Sequence, residues 1–242
     1  MWGSLIEKAF AKHSGNYNQI EKGKAHEAVS TLTGAPGIAL KHGKSQNAAT
    51  QEDLWAQILE HDLKHSIMIG ATPEYDASGA EFKPDNGLVG THSYSVLHAV
   101  ELSNGVRLLK IRNPWSSERF TGRWSDSSNL WTRKFVDEVG GHYSSDDGIF
   151  FIQLEDYFSN FVKTYINVDV TDWYSAKFLK LGDDSIEENP GKWSWCGSEC
   201  TRHTLTLKSY VTQDVYLTAH TWEDHCEKGQ CSFNKSRHSI YR

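Results

Sequence analysis

The sequence predicts an α+β fold in which helices precede an antiparallel sheet. Three observations carry that prediction. The long helical periodicities lie ahead of residue 66, apolar–polar alternation sets in at His92, and Ser103-Asn104-Gly105 separates two apolar runs as a hairpin turn would.

The first predicted helix covers 2–12, where Trp2, Leu5, Ile6, Ala9 and Phe10 recur on one face, and Ser14-Gly15-Asn16 ends it. A second is expected near 24–32, stopped before Gly34-Ala35-Pro36-Gly37. A third runs from Gln51 to His65 with Leu54, Trp55, Ile58, Leu59 and Leu63 on its apolar face. Ser66–Gly70 reads as a short buried strand, and 72–87, rich in Gly, Pro, Asp and Ser, as a loop. Strands are expected over His92–Leu102, Val106–Asn113 and Gly148–Leu154, followed by a short helix over 155–162. Helical signals vanish after Asp169, while Thr204–Lys208 and Val215–Thr221 alternate like half-buried strands. A boundary near 167–172 therefore divides the chain into 1–167 and 168–242. Nine Trp, ten Tyr and ten Phe suit aromatic-rich β-structure.

At 242 residues the chain is long enough to bury a sizeable core. A net charge of −6 lacks the basic face that nucleic acid requires, so no nucleic-acid partner is expected. No apolar run reaches the roughly 18 residues of a membrane-spanning helix. The N-terminal residues lack the layout of a secretory signal, which leads to the expectation of an intracellular, cytoplasmic protein with reduced thiols. Cys196-x3-Cys200 and Cys226-x4-Cys231, with His203 and His225 nearby, could form a tetrahedral zinc site. Their spacings are looser than the usual pairs, so zinc is not expected and free thiols are. His13, His26, His42, His61, His65 and His98 have no evident partner in the sequence and default to surface or loop positions.

Chemistry concentrates in Gly90-Thr-His-Ser-Tyr-Ser-Val96 and Lys110-Ile-Arg-Asn-Pro-Trp115. A hairpin centred on Ser103–Gly105 places Asn113 opposite residue 95 or 96, with His92 three or four positions further along. That is about 10 Å of strand, which a bulge or an end twist can close. A histidine and an asparagine at one sheet end match two members of a Cys-His-Asn triad. The bland alternative is a satisfied strand histidine beside a turn-forming Asn-Pro. No cysteine precedes His92 in this chain.

The motifs around these residues are collinear. Leu5-Ile-Glu-Lys-Ala-Phe-Ala-Lys12 with Gly15-Asn-Tyr17, then Gly87–Val96, Arg112–Trp115, Phe120-Thr-Gly-Arg-Trp124-Ser-Asp126 and Asp146-Asp147-Gly148-Ile-Phe150 follow in order. Over 1–167 the chain resembles the second half of the calpain protease core, and 168–242 resembles the start of the calpain C2-like β-sandwich, too short to complete it. The resemblance implies a papain-like His/Asn half, in which His92 activates a cysteine from a preceding subdomain, Asn113 orients the imidazole and Trp115 shields their bond. It implies protein substrates and a cysteine-bearing subdomain as partner, upstream or in trans.

Calpain cores also bind calcium through acidic loop residues. Asp126 and Asp147 match such positions, with Glu118 adjacent to a third. Arg119 and Ile149 stand where acidic residues are expected, so the ligand pattern is damaged. The first expectation is thus a portion of a cysteine endopeptidase that is inactive alone. The rivals are a catalytically inactive homologue serving as a binding or scaffold module, and a zinc-stabilised β-rich interaction protein.

Overall fold

The computed structural model describes residues 2–43, 48–76, 78–117, 120–141 and 147–169. Glu118, Arg119, Asp146, all four cysteines and both late candidate strands lie outside the described residues.

Helices α1 (Trp2–His13), α2 (Ala25–Thr33) and α3 (Gln51–Leu63) form where the periodicity predicts them. Helix α2 closes on Gly34, whose φ of 77° is free of strain only for a residue without a Cβ. Helix α3 opens on a capping box. The Thr50 side chain accepts the Asp53 amide, and the Asp53 carboxylate accepts the Thr50 amide. Strands β1 (Gly37–Lys41), β2 (Ile67–Ala71), β3 (Ser93–Glu101), β4 (Arg107–Arg112), β5 (Ile149–Gln153) and β6 (Lys163–Asn167) pair antiparallel in the order β1-β6-β2-β3-β4-β5. Helices α4 (Arg133–Glu138) and α5 (Leu154–Asn160) precede β5 and β6 respectively.

One sheet face carries Met68, Tyr94, Val96, Ala99, Leu109, Ile111, Phe150, Ile152 and Ile166, packed against Leu54, Trp55 and Ile58 of α3 and Leu154 and Tyr157 of α5. The opposite face carries a smaller cluster in which Leu108 and Phe151 meet Trp124 and Val139. The two faces follow the period-2 alternation of the strands. The hairpin joining β3 and β4 turns through Ser103-Asn104-Gly105. Gly105 has a φ of 82°, and the Asn104 side chain accepts the Val106 amide.

Several features depart from the sequence reading. Leu63, placed on the apolar face of α3, is exposed, and His61 is buried in that helix instead. Trp2 and Leu5 of the α1 stripe are 77% and 67% exposed, so the described residues leave that stripe uncovered. Strands β1 and β6 were not expected, nor was α4. In β6, Thr164, Tyr165, Ile166 and Asn167 are all buried, because both faces of this inner strand are covered; burial on both faces removes the alternation that marks a strand.

His13, His65 and His98 are exposed, in line with their default placement, and His26, His42 and His61 depart from it. His26 and His61 are buried, and His26 stacks on Tyr165. His42 joins a directed chain of hydrogen bonds. The Tyr157 hydroxyl lies 2.8 Å from Thr164 Oγ1, Thr164 Oγ1 lies 2.8 Å from His42 Nε2, and His42 Nδ1 lies 2.8 Å from the Phe161 carbonyl. The carbonyl can only accept, so Nδ1 donates, Nε2 of the neutral ring accepts from Thr164, and Thr164 accepts from Tyr157. Burial holds the His42 pKa down to about 4, against a weaker upward pull from the Phe161 carbonyl. Burial likewise pushes the Tyr157 hydroxyl up.

The sign of the resulting pH dependence follows. The unfolded chain binds a proton at His42 near pH 6.5 and the folded one only near 4, so protonation favours unfolding. The stabilisation is complete above about pH 6.5 and is lost as pH falls toward 4, by about 3 kcal/mol at most. Urea unfolding across that window is expected to show this loss, and His42→Gln to remove its share of the slope. An unchanged slope in the variant would contradict the assignment.

Candidate active site

His92 stands just before β3 and Asn113 just after β4, at the same end of the sheet. Their meeting depends on a β-bulge. Glu101 to His98 pair with Arg107 to Lys110 in one register, and Val96 and Ser95 pair with Ile111 and Arg112 in another, with Leu97 as the extra residue. Continued past Arg112, the second register sets Asn113 opposite Tyr94, two residues from His92. Side chains two apart share a face. The first register would have set Asn113 opposite Ser95, three residues from His92, with the two side chains on opposite faces. The separation is thus shorter than the three or four positions expected from the sequence.

The His92 ring lies with Nε2 2.9 Å from Asn113 Oδ1. The orientation of that amide is fixed by its other bonds. Nδ2 donates to the Ser117 carbonyl at 3.1 Å, and Oδ1 accepts the Trp115 amide at 3.2 Å. Oδ1 is an acceptor only, so Nε2 carries the proton and Nδ1 keeps its lone pair. The Trp115 ring lies against the His92 ring at 4.2 Å between centroids, tilted by 42°, and is itself 58% exposed, while Tyr94 meets the His92 ring edge-on at 4.8 Å. Asn113 is buried, so water reaches its bond to His92 poorly.

Residues that the sequence reading did not single out as site residues hold this arrangement. Thr72, buried just beyond β2, grips the His92 backbone from both sides: its hydroxyl oxygen accepts the His92 amide at 3.0 Å, and its own amide donates to the His92 carbonyl at 3.0 Å. Its hydroxyl proton goes to the Val89 carbonyl at 2.7 Å. Nothing in the local sequence marks Thr72, because the contact spans twenty residues. Gly148 holds Asn113: the Asn113 amide donates to the Gly148 carbonyl at 2.8 Å, and a Cβ on Gly148 would sit 2.8 Å from the Asn113 carbonyl. Thr91 (φ 52°) and Ser116 (φ 54°) lie beside His92 and Trp115 in left-handed backbone that non-glycine residues adopt at a cost. Such strain concentrates where surrounding structure fixes a functional group.

Of the three candidate calcium carboxylates, Asp126 and Asp147 are among the described residues. No three His, Cys, Asp or Glu side chains converge there as a metal-holding group. Asp126 is half-buried beside Trp124 and Ser125, and exposed Asp147 uses Oδ1 to accept the Ile149 amide at 2.8 Å, closing the turn into β5. These two carboxylates alone do not make the oxygen-rich shell that Ca²⁺ takes. Glu118 lies outside the described residues. No helix among the described residues is long and apolar enough to cross a membrane.

A family model described as calpain family cysteine protease matches residues 1–168. The calpain-type cysteine protease DEK1 of Arabidopsis thaliana is 34% identical over 170 residues, covering 69% of this chain and 8% of the relative. Calpain-9 of Rattus norvegicus is 33% identical over 247 residues, covering 96% of this chain and 33% of the relative. Calpain clp-4 of Caenorhabditis elegans is 32% identical over 170 residues, covering 67% of this chain and 23% of the relative. The chain thus spans a third or less of the length of these relatives, while the family match takes in the whole sheet, the His92–Asn113 pair and Trp115. It belongs to the calpain family of cysteine proteases.

Proposed function

We propose that this chain supplies the histidine and asparagine of a calpain-like cysteine endopeptidase whose nucleophilic cysteine comes from another segment, upstream or in trans. The observation that carries the reading is the 2.9 Å bond from His92 Nε2–H to Asn113 Oδ1, which leaves the Nδ1 lone pair for a proton. In this scheme Nδ1 takes the thiol proton and the thiolate attacks the scissile carbonyl of a protein substrate. The imidazolium then gives that proton to the leaving amine, and a thioester remains. Water attacks the thioester, His92 takes a proton from it, and the cysteine leaves as thiol once reprotonated. Asn113 accepts the Nε2–H throughout and keeps the ring oriented, and Trp115 screens their bond.

The overall arrangement is then the papain-like His/Asn half over 1–167, with 168–242 beginning a C2-like β-sandwich. The exposed Trp2, Leu5 and Ile6 stripe of α1 supports a partner segment, since packing would remove this apolar surface from water. Calcium is assigned no step in this scheme, because Arg119 and Ile149 stand where the resemblance expects acidic residues. Calorimetry is expected to show weak Ca²⁺ binding or none by this chain, and submicromolar binding would contradict that.

The purified chain is expected to hydrolyse no peptide, because neither His92 nor Asn113 is a nucleophile toward a carbonyl. Joined to the cysteine-bearing calpain subdomain, it is expected to give turnover that a thiol alkylator abolishes. Turnover by the chain alone, lost on alkylation, would overturn the division of labour. A folded joined protein without turnover would favour the inactive scaffold.

A further inference from the structure

We infer that Asp62 is a positioning residue for the His92–Asn113 pair, acting through the bulge at Leu97 although it touches neither side chain. Asp62 sits in the last turn of α3, where the helix dipole disfavours a carboxylate. Its Oδ2 lies 2.6 Å from His98 Nδ1 and accepts the Ala99 amide at 3.2 Å. These are residues immediately after the bulge. The β2–β3 pairing ends at Met68–Val96, so beyond Val96 strand β2 supplies no partner on this side of β3. The Asp62 carboxylate takes that place, and ties the bulge to α3 with two bonds to one oxygen.

Register links this clamp to the site. The bulge is the step that converts one pairing of β3 with β4 into the other, and only the second sets His92 and Asn113 on one face. Leu97 and His98 are both exposed, the break in alternation that the extra residue produces, whereas Tyr94, Val96 and Ala99 point into the core. Asp62 is thus bonded where the register is decided, six residues or roughly 20 Å of strand from His92. A charge-assisted acceptor suits the task because an amide left unpaired at a bulge is free to re-pair one residue along.

The functional meaning rests on the reading of His92 as the proton-handling residue, but the geometry is measurable without activity. The probe is the full chain labelled with ¹⁵N-histidine, with the His92 Nε2–H signal assigned by its loss in His92→Gln. Asp62→Ala is expected to speed solvent exchange of that proton by about tenfold or more, along with the Ala99 amide. Asp62→Asn, whose Oδ1 still accepts the Ala99 amide, is expected to restore most of the protection. Glu60→Ala, two residues away in the same helix, is expected to leave it unchanged. If Asp62→Ala does not fold, His98→Ala at an exposed position carries the test, with severalfold faster exchange at His92 expected. Unchanged exchange at His92 in the folded variants would overturn the inference, as would equal damage from Asn and Ala. Absence of the protected signal in the parent chain would instead sink the His92–Asn113 reading itself.

Discussion

In a polypeptide that carries this chain together with the cysteine-bearing segment, His92→Ala is expected to lower kcat/KM for peptide hydrolysis by about a thousandfold or more. In the proposed scheme the variant removes the group that accepts the thiol proton and returns it to the leaving amine. Asn113→Ala is expected to cost less, about tenfold to a hundredfold, and mainly in kcat. The imidazole survives in that variant, but the 2.9 Å bond that selects its tautomer and orientation does not. The ordering of the two losses separates a proton carrier from a group that orients it. Steady-state kinetics on both variants reads it directly. Equal activity of His92→Ala and the parent would remove His92 from the mechanism.

The second large effect concerns Gly148. Its φ of 81° and its contact with the Asn113 carbonyl demand a residue with no Cβ. Gly148→Ala combines left-handed strain with a 2.8 Å collision against backbone, which no side-chain rotation relieves. The expected loss is about 2–4 kcal/mol of folding stability. The same variant pushes on the peptide that carries Asn113, so the His92–Asn113 bond is expected to lengthen and Nε2–H to lose protection. Chemical denaturation measures the first effect, and imidazole exchange the second. A Gly148→Ala protein of parental stability would show that the turn into β5 relaxes around the added methyl.

The parts legible in the sequence are those with local causes. Trp2 to Phe10, Leu54 to Ile58 and the Ser103–Gly105 turn each carry their signal within a few residues, and each forms the element it predicts. The approach of His92 to Asn113 was also legible, because a hairpin turn fixes which residues face each other. The bulge was foreseen only as one of two ways to close the gap; its place at Leu97 depends on where β2 ends and on Asp62 of α3, which are tertiary facts. Strand β6 was hidden by burial on both faces. The network of His42, Thr164 and Tyr157 was hidden by the distance along the chain between its members. His98 defaults to the surface on sequence grounds and is exposed, yet its Nδ1 is bonded to a residue thirty-six positions away. Leu63 misled because helical spacing alone does not say how far the α3 stripe is covered.

The link from this geometry to proton transfer is the tautomer of His92, and ¹⁵N spectroscopy of the imidazole reads it in the intact chain. In its neutral form the His92 ring is expected to carry its proton on Nε2, with Nδ1 unprotonated and the Nε2–H protected from solvent by Asn113. Asn113→Ala is expected to remove that protection. A ring protonated on Nδ1 would contradict the account, since the nitrogen meant to receive the thiol proton would already hold one.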